Sequence, residues 1–248
     1  LCNRESLRDL IVALNAHQEK CYHLGVGKHV TRSNLAKANE NRDYRIFEDF
    51  AFHMISEARK KRVNDIFKRN GNVYAFDSTT IDLCLKLFPW ANFSTYKGGI
   101  KIHTLYDVET QVPAFIHITE AKINDVRAMD VITYESGSFY VFDRAYNDYH
   151  RLYKIHMMDS FFVVRAKTNI KARVLKWKRR LPKNILSDCE IELTGFYTQK
   201  SYPETIRLVR FWDEEDEREF VYLTNAKHIP ALQVAELYKN RWQVELFF

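Results

Sequence analysis

The sequence predicts an α/β protein, a mixed five-stranded sheet with flanking helices, with a helical N-terminal region before it and a β-rich insertion late in the chain. Three observations predict it. Short apolar, β-favouring runs alternate with helical stretches between residues 70 and 167. Two of those runs stop at an aspartate. The first 69 residues carry helical rather than strand periodicity.

In the region 1–69, Leu7, Leu10, Ile11 and Leu14 share a stripe at helical spacing, which Gly25 and Gly27 break. Thr31 and Ser33 are candidate N-caps for a short helix over Asn34 to Asn39. A longer helix follows, with Ile46, Phe47, Phe50, Ile55 and Ala58 as its apolar side, and it ends in Arg59, Lys60, Lys61 and Arg62. This order is compatible with a helix-turn-helix whose second helix enters a major groove. It is also compatible with a plain helical bundle carrying a solvated polar helix.

Asn70-Gly71-Asn72 marks a turn, and Val73-Tyr74-Ala75-Phe76 is a strand ending at Asp77. Gly99 to Tyr106 and Val112 to Thr119 form a hairpin around a turn at Asp107 to Thr110. Asn124-Asp125 caps a helix through Ile132. Phe139-Tyr140-Val141-Phe142 is a fourth strand, ending at Asp143. Asn147 opens a helical stretch to about Met158, and Phe161 to Arg165 is a fifth strand. Residues 168–226 read as the β-rich insertion, with strand candidates at Glu190 to Leu193, Ile206 to Trp212 and Phe220 to Leu223. The insertion carries a basic cluster, Lys176, Lys178, Arg179 and Arg180, around Trp177. In the last segment, 227–248, Pro230 suits a first helical residue and the helix runs to the end. A start at Leu1 and a stop inside a helix at Phe248 read as the edges of a fragment.

A hydrophobic share of 46% and a charged share of 28% over 248 residues exclude a disordered or fibrous chain. Lys and Arg total 38 against 32 Asp and Glu, a net charge of +6. That excess suits a polyanion such as nucleic acid, although many basic proteins bind none. Cys2, Cys21, Cys84 and Cys189 are scattered without a C-x-x-C pair, so neither a zinc knuckle nor a disulfide framework is expected. No run of about 18 apolar residues predicts a membrane span.

Asp77 and Asp143 each end an apolar strand, where an isolated carboxylate is expensive. The pair suggests a shared divalent cation, and hard oxygen ligands suit Mg²⁺. Each could instead cap the turn that follows it, a common place for Asp. Tyr238, Arg241 and Glu245 lie at i, i+3 and i+7 on a helix otherwise rich in Leu, Val, Trp and Phe. An Arg and a Glu one turn apart can be a plain surface pair. A polar stripe on a mostly apolar helix is better explained by a site that it faces.

That spacing, Y-x-x-R-x-x-x-E, resembles the signature of the insertion-sequence-four family of bacterial DDE transposases. Three further stretches resemble the same family: Phe76-Asp77-Ser78-Thr79-Thr80, Lys97-Gly98-Gly99-Ile100-Lys101-Ile102-His103-Thr104 and Phe142-Asp143-Arg144-Ala145-Tyr146. So does the N-terminal stretch from Val30 to Asn39. The resemblance covers nearly the whole chain. It implies a ribonuclease H-like catalytic core in two parts, 70–167 and 227–248, with Asp77, Asp143 and Glu245 as catalytic, metal-binding residues. It implies two Mg²⁺ ions, with Mn²⁺ as a substitute, on either side of a scissile phosphate. DNA contacts are expected from Tyr238, Arg241, Lys101, His103 and Arg144, and DNA binding from region 1–69. The family signature also has a lysine seven residues after the glutamate, at a position past Phe248.

The implied activity is Mg-dependent strand cleavage and strand transfer at the ends of an insertion sequence. Its partners would be double-stranded DNA (terminal inverted repeats and target) and a second copy of the chain on that DNA. The expected location is the bacterial cytoplasm, at the nucleoid, with no membrane involvement. The competing readings are a non-catalytic, truncated or domesticated DNA-binding protein and a metal-dependent nuclease on the same fold.

Overall fold

The computed structural model describes residues 6–26, 30–62, 71–83 and 98–248. Gly27, Asn70, Lys97, Cys2, Cys84 and the side chains of Arg59, Lys61 and Arg62, named above, lie outside the described residues. The chain divides into two compact units, Leu1–Ser56 and Glu57–Phe248.

In the first unit, α1 (Leu7–Ala16) begins where the Ser6 hydroxyl accepts the Asp9 N–H at 3.2 Å. A single turn, α2 (Gln18–Cys21), follows. The third helix, α3 (Arg32–Asn41), is longer at both ends than expected, because Thr31 takes the cap by accepting the Asn34 N–H at 3.2 Å. The long helix α4 (Arg45–Arg62) presents Ile46, Phe47 and Phe50 more than half exposed. That part of the helix's apolar side is uncovered among the described residues, whereas Ile55 and Ala58 are half-buried.

In the second unit the strands are β1 (Val73–Leu83), β2 (Gly98–Asp107), β3 (Val112–Glu120), β4 (Phe139–Phe142), β5 (Phe161–Arg165), β6 (Ala172–Trp177), β7 (Ile185–Leu193), β8 (Ile206–Asp213) and β9 (Arg218–Thr224). Among the described residues they form one nine-stranded sheet in the order β3-β2-β1-β4-β5-β9-β8-β7-β6. The first five strands are the expected mixed sheet: β2 and β3 are antiparallel, while β4 and β5 run parallel to β1. The expected β-rich insertion, 168–226, holds β6 to β9. Its four strands continue the same sheet, because β9 pairs antiparallel with β5 at Val163↔Thr224 and covers what would be an open edge.

Period-2 alternation explains the two cores. Tyr74, Phe76, Tyr140, Phe142, Phe162 and Val164 point to one face and pack with Leu152 and Ile155 of α5 (Tyr149–Met157). Val73, Phe139, Val141 and Val163 point to the other and pack with Val234, Leu237 and Tyr238 of α7 (Ala231–Lys239). Two further helices are α6 (Phe196–Ser201) and α8 (Trp242–Phe247). The helix expected from Asn124 is a 3₁₀ segment, Asp125–Val131, and Asp143 is followed by a 3₁₀ turn, Arg144–Tyr146. No helix among the described residues is long and apolar enough to cross a membrane.

Two features hold the sheet in register. Gly71 has φ +104°, and a Cβ there would lie 1.8 Å from the Gly137 carbonyl oxygen, so the lead-ins to β1 and β4 touch backbone to backbone. On the far half, buried Arg207 grips Asp188 with two bonds of 2.8 and 2.7 Å. Its remaining nitrogen donates to the carbonyls of Ala226 and Ile229 at 3.0 and 2.6 Å. Those carbonyls belong to the segment leading into α7, so the pair fixes where that helix starts.

Candidate active site

The strand carrying Asp77 does not end at that residue. Antiparallel pairing with β2 carries β1 on to Leu83, whereas its parallel pairing with β4 stops at Phe76↔Phe142. Asp77 is thus the first residue at which β1 parts from β4, and Asp143 is the first residue past the end of β4. The register keeps the two 66 residues apart in sequence (143 − 77) and side by side in space. Alternation from Val73 and Ala75 turns Asp77 towards the α7–α8 face, and alternation from Phe139 and Val141 turns Asp143 the same way.

The helix expected to run unbroken to the chain end is two helices. Its i→i+4 bonding gives way to i→i+3 bonds, Asn240 N–H to Leu237 O at 3.2 Å and Arg241 N–H to Tyr238 O at 3.0 Å. Tyr238 therefore sits on α7, Arg241 at the junction and Glu245 on α8. Val244 is fully buried against Ala75 and Tyr106, which pins α8 over the end of β1.

Five of the expected residues come together, with Tyr238 and Arg241 bonding the three carboxylates. Tyr238 donates from its hydroxyl to Asp143 Oδ1 at 3.2 Å. Arg241 Nη1 donates to Asp77 Oδ2 at 3.0 Å and to Glu245 Oε1. Burial raises the Asp77 carboxyl above its ordinary range, and the negative charges of Glu245 and Asp143 push the same way. The Ser78 N–H and Arg241 oppose them. Burial pushes the Tyr238 phenol up to about 12, so it stays a donor. Tyr238 is 4% exposed and Arg241 8%, so both groups face carboxylates and show little surface to a DNA strand.

The remaining expected residues divide. Arg144 is exposed beside Asp143. Lys101 is held by Asp125 at 3.1 Å and by the Ile123 carbonyl at 2.9 Å. His103 has no accessible surface, its Nε2 lies 2.9 Å from Thr119 Oγ1, and burial lowers its pKa to about 4. The structure leaves no surface at His103 for the expected DNA contact: the odd-numbered side of β2 turns it onto the sheet's covered face, with Leu105 and Phe76.

Arg165 is a site residue that the sequence reading missed. The β4–β5 register ends at Phe142↔Val164, which sets Arg165 beside Asp143. It lines an open cleft of about 460 Å³ with Asp143, Arg218, Phe220, Tyr238 and Trp242. Its guanidinium lies 5.0 Å from the Phe220 ring. The signal was present, because the fifth apolar strand also ends in a charged residue.

A divalent ion suits this donor set. All three expected ligands are hard carboxylate oxygens, and three negative charges meet one buried guanidinium. Among the described residues, no three His, Cys, Asp or Glu side chains are gathered as closely as metal ligands, and Arg241 stands between Asp77 and Glu245. As the residues lie, one guanidinium nitrogen of Arg241 holds both Asp77 and Glu245.

Comparison with known proteins points to one family. Residues 68–248 match the transposase DDE domain family. The chain is 31% identical over 221 residues to a Sinorhizobium fredii protein named as transposase y4zB, covering 86% of this chain and 60% of that protein. It is 30% identical over 173 residues to a Geobacillus stearothermophilus protein named as a transposase for insertion sequence element IS5377, covering 69% and 45%. A Synechocystis protein named as a transposase for insertion sequence element IS4SA is 26% identical over 232 residues, covering 90% and 62%. The chain thus spans about half to three-fifths of the length of these relatives. Among solved structures, the piggyBac transposase in a synaptic complex with hairpin DNA aligns with 98% of this chain and 54% of its own, at a TM-score of 0.47 and 13% identity. With 181 of its 248 residues in that match (68 to 248), the chain belongs to the transposase DDE domain family, whose members depend on a divalent metal.

Proposed function

We propose that this chain is the DNA-cutting and DNA-joining part of a transposase that moves an insertion sequence. The observation that carries the reading is the parallel β1–β4 register, which sets Asp77 and Asp143 side by side under the helix pair bearing Tyr238, Arg241 and Glu245. The strand order β3-β2-β1-β4-β5, with β2 antiparallel and β4 and β5 parallel to β1, supports a ribonuclease H-like core at 70–167 completed by 227–248. Region 1–69 would bind DNA, and residues 168–226 would widen the platform beside the cleft.

Asp77, Asp143 and Glu245 would hold Mg²⁺, as a pair of ions. Held there, it would supply activation of a water or DNA 3′-hydroxyl nucleophile and stabilisation of the leaving oxygen. The chain's own groups do the rest. The Tyr238 hydroxyl fixes the rotamer of Asp143. Arg241 balances Asp77 and Glu245 and, once it releases Glu245, offers a planar fork to a DNA phosphate. Arg144 and Arg165 flank Asp143 and add positive charge to the walls. The substrate would be double-stranded DNA, terminal repeat and target, engaged by a homodimer in the bacterial cytoplasm.

The test is Mg²⁺-dependent cleavage and joining of the insertion sequence's end DNA, beside Asp77→Asn, Asp143→Asn and Glu245→Gln. The reading holds if the wild type cuts and joins while each variant binds DNA and does neither. Variants that cut as well as the wild type would place the chemistry elsewhere. Cutting without joining would make the protein a nuclease, and binding alone would make it a non-catalytic DNA-binding protein.

A further inference from the structure

On the side of Asp143 away from the α7–α8 cleft, the surface opens into a hollow of about 610 Å³. Its walls are Asp143, Arg144, Ala145, Lys167, Thr168 and Asn169. A second hollow of about 430 Å³ shares Lys167 and Asn169 and continues to Lys171, His150 and Tyr197. The two make one groove that starts at a candidate catalytic carboxylate and ends on α6.

Two properties of this groove bear on what it could hold. The first is its charge. Several cations elsewhere pair with carboxylates, among them Arg151 with Asp130 and Asp148, Arg173 with Glu192 and Arg210 with Glu219. Arg144, Lys167 and Lys171 are exposed and have no acidic partner among the described residues. Lys167 instead donates to the Asn147 carbonyl at 3.1 Å, which holds its charge at the groove wall. A row of cations without counter-charge invites a polyanion. The acidic side chain at the far hollow, Asp148, is already engaged by Arg151.

The second property is aromatic. Phe196 and Tyr197 are 78% and 81% exposed, edge to face at 5.3 Å. They stand on a fixed base, since Tyr202 at the end of α6 is buried with its hydroxyl 2.7 Å from His156 Nδ1, and Thr198 Oγ1 donates to the Gly195 carbonyl at 3.0 Å. Rigid, exposed rings beside unpaired cations are what a nucleobase and its phosphate require together.

We propose that this groove is a track for a single DNA strand running on from the scissile phosphate, with Tyr197 as the stacking platform and Arg144, Lys167 and Lys171 as phosphate contacts. A duplex would keep its bases stacked on one another and would offer Tyr197 only a terminal face. The proposal rests on the transposase reading.

The experiment measures binding by fluorescence anisotropy without divalent metal, using a labelled end duplex that is blunt or carries a single-stranded extension of about 15 nucleotides, enough to span a site of this kind. The double variant Phe196→Ala with Tyr197→Ala is expected to weaken the extended probe about tenfold and leave the blunt probe unchanged, and Tyr197→Trp to retain affinity. Lys167→Gln and Lys171→Gln are each expected to reduce the slope of log affinity against log salt by about 0.7. Unchanged binding of the extended probe by these variants, with a wild type that binds and cuts, overturns the track and leaves the transposase reading standing. Equal loss on both probes also overturns it, since the surface would then be a duplex contact. A wild type that neither binds nor cuts end DNA removes the transposase reading and the track with it.

Discussion

Tyr238→Phe separates two roles for one side chain. The stripe of Tyr238, Arg241 and Glu245 allows Tyr238 to position a DNA strand, whereas the structure aims its hydroxyl at Asp143 from 3.2 Å. The phenylalanine ring keeps the packing, with Tyr222 4.7 Å away and Phe220 6.3 Å away, so the fold loses only the hydrogen bond. Asp143 is partly exposed and water can replace the lost donor, which limits the stability cost to about 1 kcal/mol. In a chain of this size that lowers Tm by roughly 2–4 °C. The effect on chemistry is larger, because groups that orient a metal ligand are typically worth about 10- to 100-fold in metal affinity or activity. The assay is DNA cleavage across a Mg²⁺ titration, with DNA affinity measured separately in the absence of metal. Cleavage is expected to fall about 10- to 100-fold, with the half-saturating Mg²⁺ concentration rising and DNA affinity holding. A variant with weakened DNA binding and an unchanged Mg²⁺ dependence would refute the reasoning and return Tyr238 to the DNA.

Arg207→Ala leaves buried Asp188 with Lys178 at 3.1 Å and frees the carbonyls of Ala226 and Ile229, for an expected loss of about 3 kcal/mol in chemical denaturation. Arg207→Met with Asp188→Leu is expected to recover most of that loss, and a single variant within about 1 kcal/mol of wild type would show that the pair matters little. His103 gives a pH signature. Burial lowers its pKa to about 4, with His117 and Lys101 acting in the same direction and Asp125 opposing. The unfolded chain therefore takes up the proton first, and stability falls as pH drops from about 6.5 to about 4, by on the order of 3 kcal/mol for the full shift. The measurement is the difference between wild type and His103→Gln across that window, and parallel curves would mean that His103 protonates freely in the fold.

Much of the core was legible because it is local. The strands Phe139–Phe142 and Phe161–Arg165 are found where the apolar runs place them, since a fully buried parallel strand reads as an unbroken apolar run. The six residues of β1 past Asp77, 78 to 83, were not legible. Ser78, Thr79 and Thr80 carry no apolar signal and are strand only because β2 pairs with them from 25 or so residues further on, for example at Ser78↔His103. The same non-local pairing hid the role of residues 168–226: their strands were visible, but that β9 closes onto β5 is decided by an antiparallel register that no local pattern encodes. The break between α7 and α8 escaped for a different reason. Asn240 and Arg241 keep helical dihedral angles, and only the hydrogen-bond pattern changes.

The site was legible to the extent that its chemistry follows from alternation. Once Val73 and Ala75 face the α7–α8 side, Asp77 must too, and Asp143 follows from Phe139 and Val141 in the same way. Arg241 could not be placed by that argument, because its position depends on the turn between the helices. A guanidinium reading a DNA backbone would be expected at the surface, yet Arg241 is buried and bonded to two of the three candidate metal ligands. Under the proposed function, the two placements would be two states of one group. Gathering three partly buried carboxylates calls for a counter-charge at every stage. Arg241 supplies it within the chain, and a cation that takes over Asp77 and Glu245 frees the same guanidinium for a phosphate. Arg241→Lys discriminates this account from a fixed structural pair. A lysine conserves the charge but not the fork, so it should leave folding close to wild type while lowering DNA cleavage at saturating Mg²⁺. An Arg241→Lys protein that cuts as fast as wild type would show that the guanidinium never leaves the carboxylates for DNA.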